Sequence, residues 1–283
     1  MKLGIIGVGL IGGSFALGLK QHIPDLEVLG VDRNTDSLFK AKKLGVIDQI
    51  SDFNTICREA DVIVLSIPVD AIKKVLPNAL DQVSDHQLVV DFGSTKKAIC
   101  DVVRGHPKRA NFLAAHPIAG TEYSGPEAAF ASLFKEKVMI CCEEGLTGES
   151  QLELFHKLCA HFNMAMRQMS PDAHDLHLAF VSHLSHITSF ALSNTVLDKK
   201  DTESHIFDMA GSGFASTVRL AKSSPAMWAP IFEENKEHLL AGLKSYIAQL
   251  ESFKTSLENG DESALRDGRE KANQIKEIVD RLN

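Results

Sequence analysis

Two residues at the ends of short apolar runs are the best placed in this chain for chemistry. His116 follows residues 112–115 and is held in the backbone by Pro117, while Ser94 follows residues 88–92 within Gly93-Ser94-Thr95-Lys96. An imidazole titrates near neutrality, so His116 can take a hydroxyl proton as a hydride leaves the same carbon. Ser94 is the natural orienting hydroxyl; its structural alternative is a turn or helix N-cap before Lys96 and Lys97. For His116 the alternative is a histidine that only caps a strand end.

A hydride needs an acceptor, and the start of the chain has the pattern of a dinucleotide site. An apolar run over 3–6 leads into Gly7-Val8-Gly9-Leu10-Ile11-Gly12, a helix over 14–20 is expected next, and Asp32 ends a second apolar run twenty residues after Gly12. Gly7 allows the tight turn, Gly9 lets backbone amides approach a pyrophosphate, and Gly12 lets the helix pack on its strand. Asp32 accepts from ribose hydroxyls and repels a 2′-phosphate, which favours NAD; Arg33 beside it keeps NADP open. The backbone of Ser66-Ile67-Pro68, at another run's end, is placed to line the cofactor. A glycine cluster that serves helix packing alone is the competing reading.

Two further groups carry polar side chains. His174, His177, His183 and His186 invite a metal, but at 100° per residue His183 and His186 fall on one face and His174 and His177 on roughly the opposite one. One ion cannot gather all four, so no metal is expected, and Ser182, His183 and His186 remain as donors to a substrate. Arg219 stands among apolar neighbours in residues 211–221, which calls for an anionic partner: a substrate carboxylate, Glu233 or another acid. Trp228, the single tryptophan, suits a core, a dimer contact or a pocket wall.

The elements that must position these residues follow from the apolar rhythm. Short runs at 3–6, 28–31, 62–67, 88–92, 112–115, 138–142 and 165–169 alternate with polar helical stretches, the pattern of an α/β Rossmann-type, doubly wound, mostly parallel sheet. Ligands then lie beyond the carboxyl ends of the strands, where His116, Ser94 and Ser66 sit. After Met169, Ser170-Pro171-Asp172 signals a helix start and strand-like runs cease. Domains are therefore expected at 1–169 and 170–283, the second helical. Dense apolar residues over 173–197 predict a helix buried on most sides. Leu239, Leu243, Tyr246, Leu250, Phe253 and Leu257 form a seam that packs on another helix, and residues 252–269 are expected to turn between the last two helices. Such a half closes on itself or on a second copy, and a homodimer is the commoner outcome.

The 283 residues are 44% hydrophobic, with 37 acidic against 30 basic side chains and no basic stripe, which argues against a nucleic-acid partner. No apolar run reaches membrane-spanning length, and the chain enters a strand by residue 3, so neither a membrane segment nor a signal peptide is expected. Cys57, Cys100, Cys141, Cys142 and Cys159 form no CxxC pair, which points to reduced thiols and a cytoplasmic setting.

Taken together, the glycine fingerprint, Asp32, DFGSTK (91–96), HPIAGTE (116–122), SHLSH (182–186) and GSGFASTVRLA (211–221) with Trp228 resemble the prephenate dehydrogenase family of tyrosine biosynthesis over nearly the whole chain. The resemblance implies NAD-dependent oxidative decarboxylation of prephenate to 4-hydroxyphenylpyruvate. It implies that His116 contacts the ring hydroxyl with Ser94 bonded to it, and that Thr121, Glu122, Ser182, His183, His186 and Arg219 bind substrate, with Trp228 supplied by the partner subunit. It also implies a helical dimerisation domain. Many relatives have GGFRDxTR where this chain has SGFASTVR, so Ala215 and Ser216 replace an Arg and an Asp, and any ion-pair gating through those two is lost. The chain is expected to lack a regulatory ACT domain or fused chorismate mutase, so that tyrosine would inhibit at the active site.

Competing functions are arogenate dehydrogenase, the same chemistry on the amino analogue; a β-hydroxyacid dehydrogenase using Lys222; and a NAD-sensing protein without turnover.

Overall fold

The computed structural model describes residues 1–203 and 205–280. Among them, eight strands form one sheet: β1 (Lys2–Ile6), β2 (Glu27–Val31), β3 (Gln49–Ile50), β4 (Val62–Leu65), β5 (Leu88–Asp91), β6 (Phe112–Ile118), β7 (Val138–Cys142) and β8 (Ala165–Met169). Their order is β3-β2-β1-β4-β5-β6-β7-β8, and every neighbouring pair is parallel except β6 with β7. This is the expected doubly wound sheet. Seven strands fall on the seven apolar runs; β3, two exposed residues at the sheet edge, carries no such run.

The strands read as continuous apolar runs because helices cover both faces. Leu3, Ile5, Val62, Val64, Leu88 and Val90 pack into one core with Phe15 and Phe155. Ile6, Ile63, Leu65 and Val89 face the other with Ile72, Leu76 and Ile99. The covering helices are α1 (Leu10–Lys20), α2 (Thr35–Lys43), α3 (Phe53–Glu59), α4 (Val69–Gln82), α5 (Lys97–Val103) and α6 (Glu149–Ala160). α1 begins at Leu10, four residues before the expected start, so Gly9 stands at its N-cap and Gly12 lies in its first turn. All five cysteines are buried and unpaired, Cys141 and Cys142 as core residues of β7.

Past β8 the chain is helical, beginning with α7 (Pro171–Leu178), whose N-cap Ser170 accepts from the Ala173 amide. A π turn over Ala179–His183 follows, then α8 (Leu184–Leu197), α9 (Ser212–Thr217) and α10 (Pro225–Glu234). The expectation of a helix buried on most sides over 173–197 is not met. In this single chain Ser189 is the only fully buried residue of α8, and Val181 is 73% exposed, because apolar density all round a helix buries it only where something covers every side.

Residues 1–236 form one compact unit, and the stretch from Glu237 on forms another. The second holds most of α11 (Lys236–Glu258), together with α12 (Glu262–Asn273) and α13 (Lys276–Val279). Of the expected seam Leu239 is buried, whereas Tyr246, Leu250, Phe253 and Leu257 are exposed. The turn predicted over 252–269 is far shorter. It occupies 259–261, where Gly260 takes a positive φ and the Asp261 carboxylate caps α12. Charge and glycine there mark a capped, solvated helix rather than a loop.

Candidate active site

The sheet's carboxyl edge opens into a cavity of about 860 Å³, built within residues 1–236. Gly9, Leu10, Ile11, Ser66, Ile67, Pro68 and Ser94 line it, as expected of a cofactor side. Gly7, Val8, Gly12 and Asp32 are not part of that lining but shape the loop, and Arg33 also lies outside the lining. Gly7 takes φ +98°, and a Cβ on Gly12 would lie 2.5 Å from the Gly7 carbonyl oxygen. Asp32 accepts from the Val8 and Asn34 amides at 3.1 and 2.8 Å, and Ser66 Oγ donates to the Gly7 carbonyl at 2.7 Å. Arg33 is exposed.

This loop fits a dinucleotide. No side chain caps α1, so its first amides keep their hydrogen-bonding capacity, and nothing lies within 4 Å of where a Cβ on Gly9 would stand. A pyrophosphate can approach that backbone closely.

The opposite part of the lining carries the remaining predicted residues: His116, Thr121, Glu122, Ser182, His183, His186, Arg219 and Trp228 all face the cavity. Lys222 does not line it, which leaves the β-hydroxyacid reading without its lysine. Ser94 is not a helix cap: the N-cap position of α5 is Lys96, and the Lys96 and Lys97 amides are bonded by the Asp175 carboxylate, at 2.7 and 2.9 Å. Beneath His116 the buried Lys96 ammonium pairs with Asp91 and donates to the Ala115 carbonyl at 2.8 Å, fixing β6 one residue before His116.

His116 is tied to a residue the sequence had placed elsewhere. Its Nδ1 lies 2.8 Å from His174 Nε2, and His174 Nδ1 lies 2.7 Å from Asp175 Oδ1. Uniform helical geometry puts His174 roughly 180° from His183. The π turn between them takes up one extra residue, so nine residues advance about as far as eight would, and the angle shrinks to roughly 80°. His174 and Asp175 are therefore the residues missed, although an acid directly after a histidine behind a helix-start signal was a usable hint. Asn235, also missed, donates from Nδ2 to the Asp175 carbonyl at 2.6 Å and lies 3.1 Å from His183 Nδ1.

These histidines are held neutral. Burial pushes His116 well below the ordinary imidazole value, helped by His174, Lys96 and His183, and burial also lowers His174 and brings His183 down to about 4. His186 donates from Nδ1 to the Ser182 carbonyl at 3.1 Å; burial, then the Arg219 charge, lower it as well. Trp228 stacks on His186 of its own chain with ring centroids 3.4 Å apart.

Arg219 corrects one expectation. Its side chain is 51% exposed rather than sunk among apolar neighbours, and it pairs with Glu122, not Glu233, at 3.0 Å on the cavity wall. Among the described residues, no group of three or more His, Cys, Asp or Glu side chains is placed to hold a metal ion, and no helix is long and apolar enough to cross a membrane.

Comparison with known proteins agrees with this geometry. Residues 15–166 match the model of the prephenate dehydrogenase nucleotide-binding domain, and residues 170–270 that of the prephenate dehydrogenase dimerization domain. Prephenate dehydrogenase from Bacillus subtilis is 32% identical over 91% of this chain and 70% of its own. The structure of A. aeolicus prephenate dehydrogenase in complex with hydroxyphenyl propionate and NAD+ superposes with a TM-score of 0.88, 31% identity and coverage of 98% of both chains. Synechocystis arogenate dehydrogenase superposes with a TM-score of 0.76 at 26% identity, covering 100% of both. With two domain models spanning most of its length and a fingerprint loop, a strand-end histidine and a cavity where the chemistry requires them, this chain belongs to the prephenate dehydrogenase family.

Proposed function

We propose that this chain oxidises and decarboxylates prephenate to 4-hydroxyphenylpyruvate with NAD, His116 serving as the acceptor for the ring hydroxyl proton. The observation that carries the reading is a neutral imidazole whose Nδ1 is engaged behind it while its ring lines the cavity next to the glycine loop. NAD, bound along Gly9 and Ser66–Pro68, supplies the hydride acceptor.

His116 draws on the hydroxyl hydrogen as the carbon beneath loses its hydride, which offsets the positive charge building on that oxygen. Loss of the ring carboxylate as carbon dioxide then sends its bonding electrons into the ring. The ring becomes aromatic and the proton returns to the phenolic oxygen, so no proton is released overall. The step is downhill and asks mainly for orientation. Ser94 orients the hydroxyl. Arg219 binds a substrate carboxylate through charge-assisted hydrogen bonds, with Thr121, Glu122, Ser182, His183, His186 and Trp228 completing the wall. Asp32 selects ribose hydroxyls over a 2′-phosphate.

The reading extends to organisation. We infer that the chain divides functionally at 169/170, supported by the end of β8 and the helix start at Ser170. Two copies associate through the helical part, supported by the dimerization-domain match and the exposed apolar face of α11. The enzyme works in the cytoplasm, in keeping with five free thiols.

Steady-state formation of NADH, followed by absorbance with prephenate and arogenate side by side, tests this. A higher kcat/KM with prephenate is expected. A large excess with arogenate, the activity named for the Synechocystis relative, reverses the substrate assignment. Measurable NAD binding without turnover of either identifies a sensor.

A further inference from the structure

We propose that His174 and Asp175 form a positioning pair that fixes the tautomer of His116, so that its Nε2 lone pair faces the substrate hydroxyl. The inference rests on the reading of His116 as proton acceptor. The direction of each hydrogen bond in the chain follows from its buried end. Asp175, 2% exposed, accepts the Lys96 amide at Oδ1 and the Lys97 amide at Oδ2, a geometry that suits an ionised carboxylate at the start of α5. A carboxylate can only accept, so at 2.7 Å it is His174 Nδ1 that carries the proton.

A neutral imidazole carries one proton, and the fully buried His174 is held neutral, so its Nε2 is a lone pair. Across 2.8 Å that lone pair accepts from Nδ1–H of His116. His116, neutral in turn, is left with its lone pair on Nε2. Neither ring can flip this pattern without leaving a buried donor facing a donor or a lone pair facing a lone pair. Asn235 closes the arrangement by holding the Asp175 carbonyl through Nδ2, at 2.6 Å. When His116 draws on the substrate proton, the same Nδ1–H bond to His174 spreads the charge toward Asp175, and the bond relaxes as the proton returns to the phenolic oxygen. No proton leaves the set.

The test combines kinetics with a readout of the tautomer itself, on the full chain labelled with 15N-histidine. In the wild type, long-range 1H–15N spectra should show His116, assigned by the signals lost in His116→Asn, as the Nδ1–H form. A His116 found as Nε2–H overturns the proposal whatever the variants do. In His174→Leu the His116 signals should move toward the Nε2–H form and kcat should fall on the order of 10²–10⁴-fold, the contribution of a correctly positioned general base, with the upper end matching the loss of an orienting group behind a catalytic imidazole. KM for prephenate and the Kd for NAD should stay within about three-fold. His174→Gln, whose amide oxygen can still accept from Nδ1–H, should keep the wild-type tautomer and lose no more than about ten-fold in kcat. Should His174→Leu fail to fold, the wild-type spectrum and the glutamine variant decide. An unchanged tautomer in a folded His174→Leu, or kcat within a few-fold of wild type, refutes the positioning role. Turnover surviving in His116→Asn would instead sink the proton-acceptor reading, leaving the tautomer measurement intact.

Discussion

At the floor of the cavity, His116 near the carboxyl end of β6, His174 and Asp175 are chained by bonds of 2.7 to 2.8 Å and anchored to the first amides of α5. On the wall, Arg219 holds Glu122 at 3.0 Å with half of its side chain in solvent. The floor is buried, with its histidines neutral and their supporting hydrogen bonds in place before any ligand arrives; the wall pair is charged and partly hydrated. Proton acceptance needs a lone pair fixed in direction, which only a rigid, satisfied network supplies. Capture of a dianionic guest from water needs charge that can exchange one carboxylate for another at little cost, and an exposed ion pair does that.

Removing the group the floor exists to orient tests the contrast hardest. His116→Asn should lower kcat by about 10²–10⁴-fold with the Kd for NAD unchanged, as read from NADH formation and a cofactor titration. A comparable rise in KM with kcat preserved would make the floor a binding surface like the wall.

The burial of neutral histidines around the cavity also has a pH signature in folding. His183 is held at about 4 in the folded chain against about 6.5 unfolded, so the unfolded state binds the extra proton between those values. Stability is complete above the unfolded value and declines as pH falls from about 6.5 to about 4. For this one group the loss amounts to roughly 3 kcal/mol. Urea unfolding at pH 7.5 and 4.5 follows the decline, and His183→Asn should shrink the difference by most of that amount, leaving the share of the other buried histidines. An unchanged difference in His183→Asn would mean His183 is solvated.

The floor and wall were unequally legible from sequence. β1, β4, β5 and the first half of β6 announce themselves because both their faces are covered, and the strand-end rule then delivers His116, Ser94 and Ser66, although β6 itself runs on through His116 to Ile118. β3 stayed hidden because two exposed residues at a sheet edge leave no hydrophobic trace. The π turn over Ala179–His183 is also silent in composition, yet it decides which histidines face His116, so His174 was assigned to the wrong side. Arg219 was misjudged for a different reason: Val218 and Leu220 flank it in sequence, but in a tight turn adjacent side chains diverge, and the guanidinium emerges to meet a residue 97 positions away.

The glycine loop, on the cofactor side of the cavity, offers a sharper test, because two of its glycines serve different ends. A Cβ on Gly12 would stand 2.2 Å from Ser66 Oγ and 2.5 Å from a backbone oxygen, so Gly12→Ala should cost about 1–3 kcal/mol of stability in urea unfolding. Gly9 has nothing within 4 Å, so Gly9→Ala should leave stability within about 0.5 kcal/mol while weakening NAD. Equal NAD affinity in Gly9→Ala and wild type would mean that the cofactor does not pass over that backbone.

The wall should respond in binding and little else. In Arg219→Ala the lost charge-assisted bonds to a substrate carboxylate, worth about 1.5–3 kcal/mol, predict a KM for prephenate raised by roughly 10- to 100-fold. Because the guanidinium meets the same carboxylate before and during the reaction, kcat should change by less than about five-fold. Glu122→Gln makes the complementary point. An exposed pair contributes about 0–1 kcal/mol, so its loss should move stability by less than that. With no internal carboxylate to displace, Arg219 should then bind substrate at least as well, and the KM should stay level or fall. If Arg219→Ala instead abolishes kcat while sparing KM, the guanidinium acts on the transition state, and the division of labour between floor and wall is wrong at its most exposed point.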